Sequence, residues 1–233
     1  MYDREPAIIS RYTELLDAIT VGVRDYCRKS SLESVVLGMS GGIDSAVSAA
    51  ICVRALGSKN VIGISMPSRH SSDHSITDAE FTSEKLGMEL LSMSIEEIHL
   101  SAESTLIQEL EKGHDVAAEN IQSRLRGMLV MGVSNARGAM AIATGNKSEL
   151  AVGYCTLYGD MNGGLSVIGD LYKTSVFDLC NWIDSESSSS CRNDFFLPET
   201  REIIGSEIRN KPPSAELRPE QLDLSLIHIS EPT

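Results

Sequence analysis

Val36-Leu37-Gly38-Met39-Ser40-Gly41-Gly42-Ile43-Asp44-Ser45 decides how this chain folds and what it can bind. The apolar run Val35–Leu37 breaks off in small residues, and a helix-like stretch, Ala46 to Leu56, follows at once. A strand turning tightly into a helix leaves free backbone N–H groups at the positive end of the helix dipole, which makes an anion site. Gly41 and Gly42 let the backbone come close to a phosphate, and Ser40 and Ser45 add hydroxyl donors. Asp44 is the odd member. A carboxylate beside a phosphate is repelled unless a divalent cation lies between them. The loop is therefore predicted to hold a Mg-bound nucleotide polyphosphate.

A Walker loop is excluded, because it needs a Lys followed by Ser or Thr after its second Gly, and Ile43-Asp44 stand there. The dinucleotide fingerprint Gly-x-Gly-x-x-Gly is missing too. Ser-Gly-Gly-x-Asp-Ser resembles instead the pyrophosphate loop of ATP pyrophosphatases. Those enzymes split ATP into AMP and pyrophosphate to activate a substrate by adenylation.

Outward from the loop, apolar runs alternate with helical periodicity. A helix is predicted over residues 7–28 and a strand over Val35–Leu37. A helix over 44–56 stops at Gly57, and Val61–Ser65 is a buried-type strand. The polar loop 68–72 leads to a helix over Asp73–Leu86, closed by Gly87, and a strand over Met88–Met93. Two helical stretches, about 95–111 and 116–137, precede a fourth strand, Ala139–Thr144. A short helix (Lys147–Val152), a Gly-rich loop (153–169) and a helix beginning near Lys173 complete the pattern. Such alternation implies an α/β fold, a parallel central sheet with helices on both faces. Ligands in such folds sit at the carboxyl ends of the strands. The loops at 38–45, 66–72, 144–149 and 153–169 are expected to meet in one crevice.

Composition narrows the class. With 233 residues, 42% of them hydrophobic, one domain with a substantial core is expected. No apolar run is long enough to span a bilayer, and Met1-Tyr2-Asp3-Arg4-Glu5 is charged without a following apolar stretch, unlike a secretion signal. The five cysteines are widely spaced with no Cys-x-x-Cys, so a reducing cytoplasm is the expected location. A net charge of −13 argues against duplex nucleic acid as the main partner. Ser185–Asp194 is low in complexity and reads as a surface loop.

Four further segments carry chemistry. Ala118-Glu119-Asn120-Ile121-Gln122-Ser123-Arg124-Leu125-Arg126 is helical, with Asn120 and Arg124 as i, i+4 neighbours on one face. Thr144-Gly145-Asn146-Lys147-Ser148-Glu149 follows a strand, which puts Thr144 and Glu149 near its carboxyl end. Tyr154-Cys155-Thr156-Leu157-Tyr158-Gly159-Asp160-Met161-Asn162-Gly163-Gly164 is Gly-rich, and Lys211-Pro212-Pro213-Ser214-Ala215-Glu216-Leu217-Arg218-Pro219 follows later. With Met66-Pro67-Ser68-Arg69, these strings resemble the NAD synthetase family, in order, from about residue 7 to 223.

That resemblance implies a Rossmann-like fold of the adenine-nucleotide alpha-hydrolase type. The implied reaction is deamido-NAD + ATP + ammonia → NAD + AMP + pyrophosphate, through an NAD-adenylate. The family pattern assigns ATP to Gly38, Met39, Ser40, Gly41, Gly42, Ile43, Asp44, Ser45, Met66, Arg69, Thr144 and Ser214. It assigns Mg2+ to Asp44 and Glu149, deamido-NAD to Asn120, Arg124, Glu149 and Lys173, and the ammonia site to Asp160. Asp44, Glu149, Asp160 and Lys173 are the residues it implicates in catalysis. It also implies a homodimer. The free-standing branch usually has Lys-Tyr-Gly-Asp-Gly-Gly-Ala-Asp where Leu157-Tyr158-Gly159-Asp160-Met161-Asn162-Gly163-Gly164 stand here. The loop resembles the glutamine-dependent branch, whose synthetase domain follows an amidase domain in the native chain.

The domain is expected to end at residue 223. Leu224–Thr233 resembles the translation of a transposon adapter used to build sequencing libraries, and its deletion is expected to leave thermal stability unchanged. Rival readings stay open: another loop-sharing enzyme, a non-catalytic nucleotide-binding module, or an inactive synthetase fragment. A tRNA thiolase shares the loop, but should show a basic face and paired catalytic cysteines. A GMP synthetase would lack the Asn-Lys-Ser-Glu and Tyr-Gly-Asp-Met blocks together. A nucleotide-binding module, or an inactive synthetase fragment, would bind ATP without releasing pyrophosphate.

Overall fold

A computed structural model describes residues 11–113, 116–185, 188, 202–212, 214 and 217. Val35–Gly38 (β1) pairs in parallel with Val61–Ser65 (β2) on one side and Met140–Ala143 (β4) on the other. Glu89–Ser92 (β3) and Leu165–Ser166 (β5) extend the two flanks, giving the all-parallel order β3-β2-β1-β4-β5. β5 is absent from the sequence reading, which left 153–169 as loop. Leu165-Ser166, directly after Gly163-Gly164, is too short to carry a detectable period.

Side chains alternate across the sheet as the pleat requires. Val35 and Leu37 enter one core with Val61, Met140 and Ile142. Val36 enters the other with Ile62, Ile64 and Ala141. The first core is covered by Arg11–Lys29 (α1), Ile43–Leu56 (α2), Asp73–Leu86 (α3) and Lys173–Ile183 (α7). The second is covered by Val116–Arg137 (α5), against which Glu96–Leu110 (α4) packs. Lys147–Val152 (α6) and Ser206–Asn210 (α8) are short.

α2 explains the arrangement. From Ser45 to Ala55 every residue is buried, because helices flank it on its outer sides and the sheet lies beneath. Arg54 is fully buried there. Its guanidinium donates to Thr20 Oγ1 at 2.7 Å and Asp17 Oδ1 at 2.5 Å, both on α1, which compensates the desolvated charge. Asp184, at the end of α7, accepts from the N–H groups of Ile203, Ile204 and Gly205 at 2.8–3.1 Å and pairs with Arg209. That carboxylate fastens the approach to α8 beneath the cleft.

Gly57, Gly87 and Gly153 end α2, α3 and α6 at positive φ. Residues 7–10, most of 185–194 and all of 224–233 lie outside the described residues. The readings made for them, including the adapter-like tail, are not addressed by the structure. No helix among the described residues is long and apolar enough to cross a membrane.

Candidate active site

The chain runs from β1 toward β2 and β3 on one flank, then crosses to β4 on the other. The carboxyl ends of β1 and β4 therefore form the switch point where open parallel sheets bind ligands. A cavity of about 570 Å3 opens there, within the range of small-molecule and cofactor sites.

The loop after β1 braces itself. Gly42 N–H donates to Ser40 Oγ at 3.2 Å, Ser45 Oγ donates to Gly42 O at 2.9 Å, and the two hydroxyls lie 3.2 Å apart. Gly41 is buried at φ +73°, and a Cβ there would sit 2.1 Å from Ser75 O in the first turn of α3. The loop is thus clamped against a second helix that the Ser72 side chain caps.

Asp44 lies in the first turn of α2. Its Oδ1 accepts from Asn146 Nδ2 at 3.1 Å, and its Oδ2 pairs with Lys173 Nζ. Asn146 is fully buried and caps α6 in a reciprocal box: Glu149 N–H donates to Asn146 Oδ1 at 3.0 Å, and Asn146 N–H donates to Glu149 Oε2 at 2.9 Å. Lys173, only 7% exposed, opens α7, and its N–H donates to Ser148 Oγ at 3.0 Å. The first turns of α2 and α7 thus contribute Asp44 and Lys173 to the cavity that Glu149 also lines, and helix N-termini favour an anion.

Burial and the neighbouring Asp44 charge push the Glu149 carboxyl up from 4.5 to about 7, against the opposing pull of the Asn146 N–H and Lys173. A carboxyl raised by burial and by a second carboxylate, beside a loop suited to anions, fits a hard divalent cation. Mg2+ takes one or two protein carboxylates and completes its shell with phosphate oxygens and water.

The raised value predicts a stability effect. In chelated protein the folded state holds the Glu149 proton more tightly than the unfolded chain. Stability should fall as pH rises from 4.5 to about 7, with the full cost present above that. Glu149→Gln keeps an oxygen for the Asn146 N–H and removes the charge. At pH 8 in EDTA it should gain on the order of 1–3 kcal/mol, raising the melting temperature by several degrees, and the gain should vanish near pH 4. A variant no more stable than the parent at pH 8 would show that this carboxylate is not strained.

The cavity wall holds Gly38, Met39, Ser40, Gly42, Ile43, Asp44, Ser45, Met66, Thr144, Glu149, Asp160, Lys173 and Ser214, all read from the sequence. Four assignments do not line it. Gly41, expected at ATP, is buried against Ser75 of α3 instead. Arg69, expected at ATP, is drawn to α4, where it pairs with Glu96 at 3.0 Å and Glu103 at 3.4 Å. Asn120 and Arg124 do share one face of α5, but that face meets the Gly-rich loop. Asn120 Oδ1 accepts from Thr156 Oγ1 at 2.8 Å, and Arg124 Nε donates to Leu157 O at 3.2 Å.

Sequence reasoning passed over Arg126 and Lys211. Arg126 lines the cavity and donates from Nε to Met66 O at 3.2 Å. It stands two residues beyond Arg124, and that offset turns it to a different side of the helix. Lys211 lines the wall as well, held by Ser75 Oγ at 2.6 Å and Asp78 at 3.3 Å.

A five-stranded parallel sheet with a self-braced, glycine-bearing loop at its switch point defines a Rossmann-like α/β protein. The NAD synthase family pattern matches residues 15–230, and the chain belongs to that family. It is 47% identical over 211 residues to the glutamine-dependent NAD(+) synthetase of Synechocystis sp., covering 90% of this chain and 35% of that protein. The corresponding enzyme of Thermotoga maritima is 43% identical over 214 residues, covering 91% and 35%. Among solved structures, the glutamine-dependent NAD+ synthetase of Acinetobacter baumannii in complex with ADP superposes with a TM-score of 0.79 at 38% identity, over 93% of this chain and 39% of that one. NMN synthetase from Francisella tularensis superposes with a TM-score of 0.76 at 27% identity, over 93% and 81%. The chain spans about a third of the length of the curated relatives it matches.

Proposed function

We propose that this chain performs the ATP-dependent amidation of deamido-NAD to NAD, releasing AMP and pyrophosphate. The observation that carries this reading is the juxtaposition at the switch point. Asp44 of the phosphate loop and the raised Glu149 share one cavity with Lys173 and Asp160. The homology to glutamine-dependent NAD synthetases supports the choice of acid and nucleotide.

The nicotinate carboxylate is a poor acyl donor until one of its oxygens becomes part of a leaving group. Its attack on the α-phosphorus of ATP forms the acyl-adenylate and expels pyrophosphate. The loop N–H groups and Lys173 stabilise negative charge spreading over the phosphates. Mg2+ held by Asp44 and Glu149 would neutralise phosphate charge in the same place. Asp160 then binds the incoming nitrogen as ammonium and takes its proton. The freed ammonia attacks the acyl carbon, and AMP departs with the bonding pair of the C–O bond. Ammonia, free or released from glutamine by an amidase domain upstream in the native chain, is the nitrogen source on this reading. A homodimer and a cytoplasmic setting accompany it, the latter supported by the free thiols of Cys27, Cys52, Cys155 and Cys180.

The test is substrate-dependent pyrophosphate release. Release should require ATP, Mg2+ and deamido-NAD together, and NAD should form when ammonium is added. Nicotinate mononucleotide, xanthosine monophosphate and tRNA are the comparison substrates. Preference for any of them over deamido-NAD would overturn the assignment.

A further inference from the structure

Ser123 is buried on α5, at 6% exposure, and makes a reciprocal pair of hydrogen bonds with one residue. Its Oγ donates to Asp160 Oδ2 at 3.0 Å and accepts from Asp160 N–H at 3.0 Å. Thr156 N–H donates to both oxygens of the same carboxylate, at 2.9 and 3.1 Å. The Asp160 side chain is thus held from within its own loop by Thr156 and from outside it by Ser123.

That outside contact is one of a set of polar contacts, rather than apolar burial, that hold the loop. Its largest apolar side chains face solvent: Leu157 is 63% exposed and Tyr158 78%. Tyr158 also sits at φ +64°, a conformation L side chains rarely adopt. The loop instead rests on a polar stripe of α5 at i, i+3, i+4 and i+7 spacing: Asn120, Ser123, Arg124 and Gly127. Two glycines make the approach possible. A Cβ on Gly127 would lie 2.4 Å from Asn162 Nδ2, and one on Gly159 would lie 2.2 Å from Ser123 Oγ. Helix and loop are in backbone-to-side-chain contact at Ser123, with no space for a different register.

We infer that Ser123 is a positioning residue that aims the Asp160 carboxylate at the attacking nitrogen, an inference that rests on the nitrogen-binding role proposed for Asp160. With Thr156 and Ser123 supplying donors from behind, the remaining acceptor capacity of the carboxylate is left for the N–H groups of ammonium in the cavity. Asp160 lines that cavity and so does Ser123. The hydrogen bonds of Ser123 and Asp160 join α5 to the Gly-rich loop, while the loop after β1 is braced by Ser40 and Ser45, so loss of the Ser123 hydroxyl should reach the second half-reaction alone.

The experiment compares Ser123→Ala, Ser123→Cys and Asp160→Asn with the parent, using ammonium chloride as nitrogen donor. Ser123→Cys fills the space of the serine with a weak donor and guards against a cavity effect. For both Ser123 variants the KM for ammonium should rise about tenfold, the scale for losing a hydrogen bond to a charged group. The kcat at saturating ammonium should stay within about threefold of the parent, and exchange of labelled pyrophosphate into ATP in the presence of deamido-NAD should be unchanged. Asp160→Asn should raise the ammonium KM further and spare the exchange. If Asp160→Asn raises that KM while both Ser123 variants keep the parental value, the positioning role is wrong and the Asp160 reading stands. If Asp160→Asn leaves the ammonium KM unchanged, the nitrogen site lies elsewhere and both fall. Loss of pyrophosphate exchange in the Ser123 variants would also overturn the inference, because a general structural role would then explain them.

Discussion

Asp44→Asn is expected to cut pyrophosphate release by about 100-fold or more, the scale on which losing one preorganised electrostatic partner acts. Asp44 joins three groups: it accepts from Asn146, pairs with Lys173 and raises Glu149. The change removes one of the two carboxylates available to a cation and leaves the charge of Lys173 without its counterion in a nearly closed site. The folded structure should survive, because an amide oxygen still accepts from the ammonium and the repulsion on Glu149 is relieved. A stability loss of about 1–3 kcal/mol is expected for the weakened buried pair. Steady-state turnover across a Mg2+ titration, with a melting curve alongside, checks both parts. Near-parental turnover at saturating Mg2+ would remove Asp44 from the metal site.

Gly41→Ala should be at least as damaging to nucleotide binding, for a steric reason. The new Cβ would sit 2.1 Å from Ser75 O and 2.8 Å from Ser75 C, both backbone atoms of a capped helical turn that cannot give way. The φ of +73° adds about 1–2 kcal/mol of strain for a residue with a side chain. The loop must lift, which turns its N–H groups off the phosphates. A fall of about 100-fold or more in ATP affinity is expected by calorimetry, by analogy with displaced oxyanion donors. Gly138→Ala is the control. Its φ is +63°, but open space surrounds it, so it should carry the backbone strain and leave ATP affinity unchanged. Equal ATP affinity in Gly41→Ala and the parent would mean that the loop is not fixed by α3.

The loop after β1 was legible because its geometry is local. A strand, two glycines and a helix start are adjacent in sequence, and the loop that forms uses the hydroxyls of Ser40 and Ser45 within itself. The strands β1, β2, β3 and β4 announced themselves as apolar runs. Glu149 was legible as a residue at a strand end, and its bond to Asn146 follows the spacing of a capping box.

What escaped depends on partners far away in sequence. Arg69, assigned to ATP by the family pattern, is paired in the structure with Glu96 and Glu103, 27 and 34 residues on. Asn120 and Arg124 carry the right spacing for a shared face, but spacing does not say what that face meets, and here it meets Thr156 and Leu157. Lys211 reaches the wall through Ser75 and Asp78, more than 130 residues earlier.

Asn146 constrains what this position can tolerate. Its amide oxygen accepts from α6 while its amide nitrogen donates to Asp44, so one side chain must be acceptor and donor at once, in a fully closed space. Aspartate would still cap α6, yet would set a third negative charge against Asp44. Serine would cap it and fall short of the bridge. The genetic code offers neighbours of asparagine that satisfy half of this demand, and none that satisfies it in the same volume. Mutational drift at position 146 should therefore be arrested even in lineages where the walls around it diverge. Unprogrammed loss of the amide nitrogen by slow hydrolysis would inactivate a molecule that otherwise keeps its shape.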